Sequence, residues 1–347
     1  MNRLECSALR CIAIVSIMLH NFAHWLPGAA PENEFSFSLE HYEYFWECTS
    51  GEDFLIHFFS FFGHLGVPIF VFLTGYGLAQ KYDHQECIEW KSFLYRHWKK
   101  LFIPLVVGTF AYIIVMFVLE GYLACSFSRI VVQCTMLLNL ISPNLLLPMP
   151  YWYFGLTMQF YLFYLLLVHK RSHIILLLLA IVSLLFMAFL SDYYKVLSWV
   201  RYNSIGWLLP LYLGIICSRR NVMIRYTFKT LVSGLLAACL FILLFGFNFY
   251  LWLAIPVMVI FAAVFFVKLL PPSLLKWTDY IGKNSLHFFV IHPIVREIII
   301  PEVSCWGGYV GLFLYFALTV LVVYISLIVV SIIKTFIPKT DVNNPNR

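Results

Sequence analysis

Residues 6–26 of this chain have the sequence CSALRCIAIVSIMLHNFAHWL, an apolar stretch that is interrupted by Arg10, His20 and His24. A helix of about 20 residues rises ~1.5 Å per residue and so crosses the hydrocarbon core of a bilayer. His20 then lies roughly two-thirds of the way across, and Arg10 lies near the end at which the helix begins. Because ionisable groups are costly in lipid, their presence here predicts a functional site.

The composition excludes an ordinary soluble domain. Of the 347 residues, 62% are hydrophobic, 19% are aromatic and only 12% are charged. The formal net charge of +6 does not indicate a nucleic-acid partner, because the basic residues lie in short loops between apolar runs, where they set membrane topology. The sequence predicts an all-α, multi-pass protein whose surroundings are membrane lipid.

Ten apolar stretches are long enough to be considered as membrane spans. With the N-terminus inside, nineteen of the twenty-three Lys and Arg residues fall on the cytoplasmic side, which predicts that both termini are cytoplasmic. The predicted spans are Cys6–Leu26, Phe54–Ala79, Leu101–Leu119, Tyr151–Val168, Ile174–Leu190, Val196–Cys217, Thr230–Phe247, Phe249–Val267, Asn284–Ile300 and Tyr309–Ile333.

Two connecting segments stand out between these spans. Residues 129–149 are apolar but contain prolines and amides, and we expect a re-entrant or interfacial segment there. The acidic loop Pro27–Asp53 should lie outside, either as a cap over the protein or as a solvated connector. Cys48 and Cys305 would then both be outside, and their pairing stays open. Without repeats or a soluble insertion, residues 1–340 form one membrane domain with a short cytoplasmic tail at 341–347.

Five segments resemble, in order, the motifs of the membrane-bound acyltransferase-3 family, which includes bacterial polysaccharide and lipopolysaccharide O-acetyltransferases. They extend over nearly the whole chain. The segments are LRCIAIVSIMLHNF at Leu9–Phe22, GHLGVPIFVFLTGYGLA at Gly63–Ala79, YRHWKKLFIP at Tyr95–Pro104, YWYFGLTMQFYLFYLLL at Tyr151–Leu167 and LLKWTDYIGKNSLHFFVIHPIV at Leu274–Val295.

The chain also departs from the family pattern. Thr74 stands where the family has another small hydroxyl residue. Arg96 and Lys100 stand where the family has two arginines, so one guanidinium that could make two parallel hydrogen bonds is replaced by an ammonium group. Thr157 and Met158 replace an acidic pair that many members carry. If that carboxylate orients the catalytic histidine elsewhere in the family, this chain must do without it or use another group.

The resemblance implies transfer of an acyl group from a thioester to a hydroxyl, and the histidines suit that chemistry. A neutral imidazole in a dry site can take the hydroxyl proton, so His20 is the candidate general base and Arg10 a candidate partner in catalysis. His24 lies one turn further along the same face, where it can relay the proton or touch the acceptor. Alternatively, each histidine only hydrogen-bonds a neighbouring helix. Arg10 can line the path of the donor or pair with Glu5.

The donor implied is acetyl-CoA from the cytoplasm, and no metal is expected. Its phosphates need cations on that side, and Arg96 and Lys100 share a helix face four residues apart, with Lys99 adjacent. The positive-inside rule alone would place basic residues there too.

Several further residues can support the site or bind the acceptor. Trp152, Gln159 and Tyr161 can line the cavity, although aromatic residues at the start of a span are commonly interface anchors. Arg201 can meet a sugar or an anionic acceptor, and His292, followed by Pro293, can support the site or simply pack. For Arg296 and Glu297 the simplest role is an ion pair to a neighbouring helix.

Together these features predict an O-acetyltransferase of the bacterial inner membrane that modifies a hydroxyl of a cell-envelope glycan or glycolipid. A transporter or exporter of polysaccharide or lipid-linked substrates is the alternative, because many spans with intramembrane charges suit it as well. No inverted repeat is evident in the sequence, which counts against a secondary transporter.

Overall fold

The computed structural model describes residues 1–121, 125–220 and 227–336, and these residues form helices without any strand. The predicted tail at 341–347 lies outside the described residues. The α-helices are α1 Arg3–Ala23, α2 Leu39–Glu47, α3 Phe54–Phe62, α4 Gly66–Tyr82, α5 Trp90–Glu120, α6 Phe127–Cys134, α7 Leu138–Ile141, α8 Trp152–Phe163, α9 His173–Phe189, α10 Tyr194–Arg201, α11 Leu208–Arg219, α12 Phe228–Leu244, α13 Phe249–Trp252, α14 Ile255–Leu269, α15 Pro272–Lys283, α16 Ser285–Ile299, α17 Val303–Trp306 and α18 Gly308–Phe336.

Within the described part of the chain, five helical stretches are long and apolar enough to cross a membrane. The helical, multi-pass architecture is therefore confirmed, while the count of ten spans and the cytoplasmic placement of both termini stay predictions. The five stretches are Arg3–Ala23, Phe54–Tyr82, Trp90–Glu120, Met149–Val168 and Gly308–Val329.

Two predicted spans are interrupted in the structure. The stretch Val196–Cys217 is divided between α10 and α11, and Phe249–Val267 is divided between α13 and α14. Asn203 lies within the first break, and its side chain donates to the carbonyl oxygens of Asn139 and Trp199. The length of an apolar stretch does not reveal hydrogen bonds to backbone elsewhere in the chain. This explains why the sequence predicted one continuous span where the structure has two helices.

The predicted re-entrant or interfacial segment at 129–149 consists of short helices. Gln133 accepts the backbone N–H of Leu147 at 2.8 Å and donates to Thr109 of α5 at 2.8 Å. These bonds satisfy irregular backbone inside protein, which is the condition for tolerating it at membrane depth. Cys48 and Cys305 are both free thiols.

Helix α1 lies at the centre of the bundle, where it packs against α3, α4, α14, α15, α16 and α18. Its most apolar 18-residue window is 67% buried, against 17% for that of α18. The backbones of α4 and α11 also approach each other closely. A Cβ on Gly214 of α11 would overlap the carbonyl oxygen of Phe72 in α4. Small residues at such contacts are typical of helix packing in membranes.

Candidate active site

A cavity of about 530 Å³ runs along α1 and joins two groups of candidate residues. Arg10 and Lys100 line one part of it, which we call the basic end, and His20 and His24 line the other, which we call the histidine end. Ten residues separate Arg10 from His20, which is about 15 Å along a helix. A single continuous cavity therefore connects the residues predicted for donor binding and for chemistry.

The His20 imidazole is held in one orientation. Its Nδ1 lies 2.9 Å from the carbonyl oxygen of Ser60, and the side chain is 5% exposed. A carbonyl oxygen can only accept, so Nδ1 carries the proton and Nε2 keeps its lone pair. Gly63 permits this contact, because a Cβ there would lie 2.6 Å from the His20 Cβ. The tautomer that results is the one a general base needs.

Two further imidazoles surround His20. The His24 ring is stacked on it with centroids 5.4 Å apart, and the His64 ring meets it edge-on at 5.6 Å. His64 is 4% exposed, and its Nδ1 has no hydrogen-bond partner among the described residues. All three line the cavity, so the histidine end is a cluster of imidazoles rather than a single one.

Carboxyl groups from the acidic loop complete the histidine end. Oε2 of Glu32 lies 2.7 Å from Nδ1 of His24, although the atoms are not aligned for a hydrogen bond, so the contact is mainly electrostatic. One ring nitrogen of His20 and carboxylate oxygens of Glu32 and Glu34 lie within 4.8 Å of one another. Carboxyl groups of the loop thus lie close to His20, while Thr157 and Met158 carry none.

The two carboxyl groups differ in charge. Burial alone would raise the pKa of Glu32, but the contact with His24 and the charge of His20 outweigh it and lower the pKa to about 2. Burial raises the pKa of Glu34 well above its usual range, and the Glu32 carboxylate adds to this while Arg201 opposes it. Glu32 is therefore ionised near neutral pH, whereas burial and the Glu32 carboxylate shift Glu34 toward its neutral form.

The cap segment, residues 27–38, is fixed through its backbone. Arg201 donates from Nε to the carbonyl oxygen of Glu34 at 3.0 Å, and Trp252 donates from Nε1 to that of Asn33 at 2.9 Å. The Phe35 ring stacks on Tyr202 with centroids 3.8 Å apart. These contacts leave the side chains of Glu32 and Glu34 directed into the cavity. This part of the loop is therefore a cap, and not a solvated connector.

His20, Glu32 and Glu34 also form a set of ligand types that a divalent cation accepts. No metal is expected from the sequence, and the same three groups can act as a base with two carboxyls. The choice between these uses is open to a direct measurement with chelators.

The basic end is less constrained than the histidine end. The side chains of Arg10 and Lys100 make no hydrogen bond or ion pair with other described residues, and both line the cavity. Arg10 does not pair with Glu5, because Glu5 accepts from Lys268 at 2.6 Å. Free donors on a cavity wall suit an anionic ligand.

Arg96 and Lys99, predicted beside Lys100 as donor-binding residues, do not line the cavity. Both are exposed, and Arg96 donates from Nε to the carbonyl oxygen of Ser92 in its own helix at 3.1 Å. The structure thus brings Lys100 together with Arg10 rather than with Arg96.

The remaining candidates separate into two groups. Trp152 and Tyr161 line the cavity. Gln159 does not, because it donates to Asn203 at 2.8 Å and accepts from the N–H of Ser204 at 2.9 Å.

Arg201 and His292 also lie outside the cavity wall. The Arg201 guanidinium lies between the Trp207 and Trp252 rings, 4.2 and 4.9 Å from their centroids, and serves to hold the cap segment. His292 is buried, with Nδ1 3.0 Å from the carbonyl oxygen of Phe288. The Nε2 atom of His292 has no hydrogen-bond partner among the described residues. The roles of Arg201 and His292 toward a ligand therefore stay predictions.

Sequence reasoning missed Glu32, Glu34 and His64 as site residues. The two glutamates belong to a loop with several other acidic residues, and nothing in their spacing marks them. His64 belongs to the motif at Gly63–Ala79, but the resemblance gives it no separate role. The one usable signal was the absence of the family's acidic pair at Thr157 and Met158, which left open whether another group takes its place.

Comparison with known families gives one match. The acyltransferase-3 family model, which describes an acyltransferase domain, matches residues 5–332. The chain therefore belongs to the acyltransferase-3 family, and its class is that of the membrane acyltransferases. Neither the curated proteins nor the solved structures give a match.

Proposed function

We propose that this protein is an O-acetyltransferase of the bacterial inner membrane, which transfers an acetyl group from cytoplasmic acetyl-CoA to a hydroxyl of a cell-envelope glycan or glycolipid. The observation that supports this most directly is the single cavity between Arg10 and Lys100 at one end and His20 at the other. Cations suit the phosphates of the donor, and the imidazole suits proton transfer at the thioester.

In the proposed reaction, Nε2 of His20 takes the proton of the acceptor hydroxyl as its oxygen attacks the thioester carbonyl carbon. The new C–O bond forms, the C–S bond breaks, and the departing thiolate receives the proton back from His20. The Ser60 carbonyl keeps Nδ1 protonated throughout. The ionised Glu32 stabilises the imidazolium while it exists, as a carboxylate does in a hydrolase triad.

The donor reaches this site from the cytoplasm only if the basic end faces inward. We therefore expect a membrane-impermeant maleimide to label Glu43→Cys on intact cells and Lys276→Cys only after permeabilisation, in a background without the native cysteines. Both positions are exposed, so a negative result cannot come from burial. Labelling of both from the same side would contradict the proposed orientation.

The activity itself is tested with purified protein in liposomes, acetyl-CoA labelled in the acetyl group and a cell-envelope glycan preparation. The expected result is label in the glycan, released by mild base as acetate because the bond is an ester. Passage of the glycan across the liposome membrane without acetylation would instead identify an exporter. A parallel assay with succinyl-CoA and longer acyl-CoA donors defines the acyl group.

A further inference from the structure

One buried cation at the histidine end has no part in the proposed reaction. Arg296 of α16 is 2% exposed and lines the cavity. Its Nη2 contacts the carboxylate of the adjacent Glu297, so the ion pair expected with a neighbouring helix is formed with the next residue instead. Nε and Nη1 of Arg296 have no hydrogen-bond partner among the described residues. Arg296 therefore lines the cavity with two buried donors that are unpaired within the described part of the chain.

An aromatic ring accompanies these donors. The Arg296 guanidinium carbon lies 4.4 Å from the centroid of the Trp25 ring, and Trp25 also lines the cavity. Whereas Arg296 is buried, Trp25 is 52% exposed, so much of the indole surface is free for a ligand. Trp25 directly follows His24, which places this pair of side chains beside the imidazole cluster.

We propose that Trp25 and Arg296 form the subsite for the acceptor, and that the acceptor group bound there is an uncharged sugar ring. The C–H face of a pyranose packs on an indole, and its ring and hydroxyl oxygens accept from a guanidinium. An acyl chain would leave both Arg296 donors unpaired. Glu297 balances the charge of Arg296, so the subsite favours neutral oxygens over a second anion.

The position along α1 separates this subsite from the donor. Trp25 lies in the turn just after α1 ends at Ala23, fifteen residues beyond Arg10, and His20 lies between them in the chain. If the donor phosphates lie at the basic end, as the proposed function requires, the thioester reaches His20 from one direction. The hydroxyl must then come from the other, which is the side of Trp25. This inference rests on the proposed function for the identity of its ligand.

The test compares Trp25→Ala and Trp25→Phe with wild type, using the glycan that accepts label from acetyl-CoA. We expect Trp25→Ala to raise the KM for glycan about tenfold, and Trp25→Phe about threefold, because a phenyl ring retains part of the stacking surface. The KM for acetyl-CoA and the hydrolysis of acetyl-CoA to water should stay unchanged. Trp277→Ala, a change of an 82% exposed tryptophan outside the cavity, is the matched control.

Arg296→Gln should also weaken glycan binding, and a thermal melt shows whether this buried substitution still folds. An unchanged KM for glycan in Trp25→Ala, or a raised KM for acetyl-CoA, would overturn the subsite. A second measurement, isothermal titration of the protein with the glycan and no donor, needs no turnover. If wild type binds glycan and Trp25→Ala does not, but no acetyl group is transferred, the subsite stands and the proposed function fails.

Discussion

The two ends of the cavity are built in opposite ways. At the histidine end, His20 is oriented by the Ser60 carbonyl and surrounded by Glu32 and two other imidazoles. At the basic end, Arg10 and Lys100 have no polar partner in the described part of the chain. Preorganisation is needed where a proton moves, whereas a flexible phosphate ligand can be met by flexible cations. The contrast predicts that substitutions at the two ends change different kinetic quantities.

The largest effect is expected for His20→Ala. Loss of the general base should lower acetyl transfer by about 10²–10⁴-fold and leave acetyl-CoA binding nearly unchanged. His24→Ala should cost much less. Transfer rates, thermal melts and acetyl-CoA titrations on the same samples separate a chemical role from a structural one. A folded His20→Ala protein with wild-type turnover would remove His20 from the mechanism.

The next effect distinguishes the two carboxyl groups. Glu32→Gln removes a charge and should lower transfer by about tenfold to a hundredfold. Glu34→Gln replaces a carboxyl whose pKa is raised by burial with a neutral amide of the same shape, and transfer should stay within about threefold of wild type, which makes this variant the matched control.

The pH dependence of transfer tests the same assignment. Glu32 has a lowered pKa of about 2, so its stabilising charge is fully present above the pKa of an unfolded glutamate and is lost only as the pH falls toward 2. Between pH 5 and about 9, the transfer rate of the wild-type protein should therefore not fall because of protonation of Glu32. If Glu32→Gln and Glu34→Gln lowered the transfer rate equally, the two carboxyl groups would carry the same charge.

At the basic end, Lys100→Ala should weaken acetyl-CoA binding by about 1.5–3 kcal/mol, the value of one charged hydrogen bond, and leave turnover at saturating donor unchanged. Arg96→Ala provides the comparison, because Arg96 is exposed outside the cavity. A larger loss for Arg96→Ala than for Lys100→Ala would restore the donor site predicted from the sequence. Titration with CoA at two salt concentrations measures both.

The smallest effect is expected from metal removal. If His20, Glu32 and Glu34 act as base and carboxyls, EDTA treatment and dialysis should leave transfer within about twofold of the untreated protein. Strong inhibition that is reversed by Zn²⁺ would instead make these residues a metal site.

The sequence predicted the parts of this molecule that depend on local patterns. The first span was placed at Cys6–Leu26 and is Arg3–Ala23, and His20 stood out because an ionisable group in an apolar helix is costly. Lys100 was expected near the donor from charge alone. These features need only composition and helical spacing.

Tertiary contacts decide the rest. Glu32 and Glu34 enter the site because Arg201 and Trp252 hold backbone carbonyls of the cap segment, and these partners are more than 160 residues away in the chain. Arg201, which the sequence offered as a possible contact to the acceptor, donates to the backbone of the cap segment. Hydrogen bonds between such distant positions leave no periodic pattern in a single sequence.

Gly63 is a position at which this protein can be inactivated without being unfolded. A side chain there would meet the Cβ of His20 at 2.6 Å and the carbonyl oxygen of Ser16 at 2.8 Å, so α3 would have to move away from α1. The Ser60 carbonyl would move with it and release Nδ1 of His20, which leaves the ring free to adopt the other tautomer. Gly63→Ala, three residues from the Ser60 carbonyl, would thus lower catalysis although residue 63 itself takes no part in the reaction.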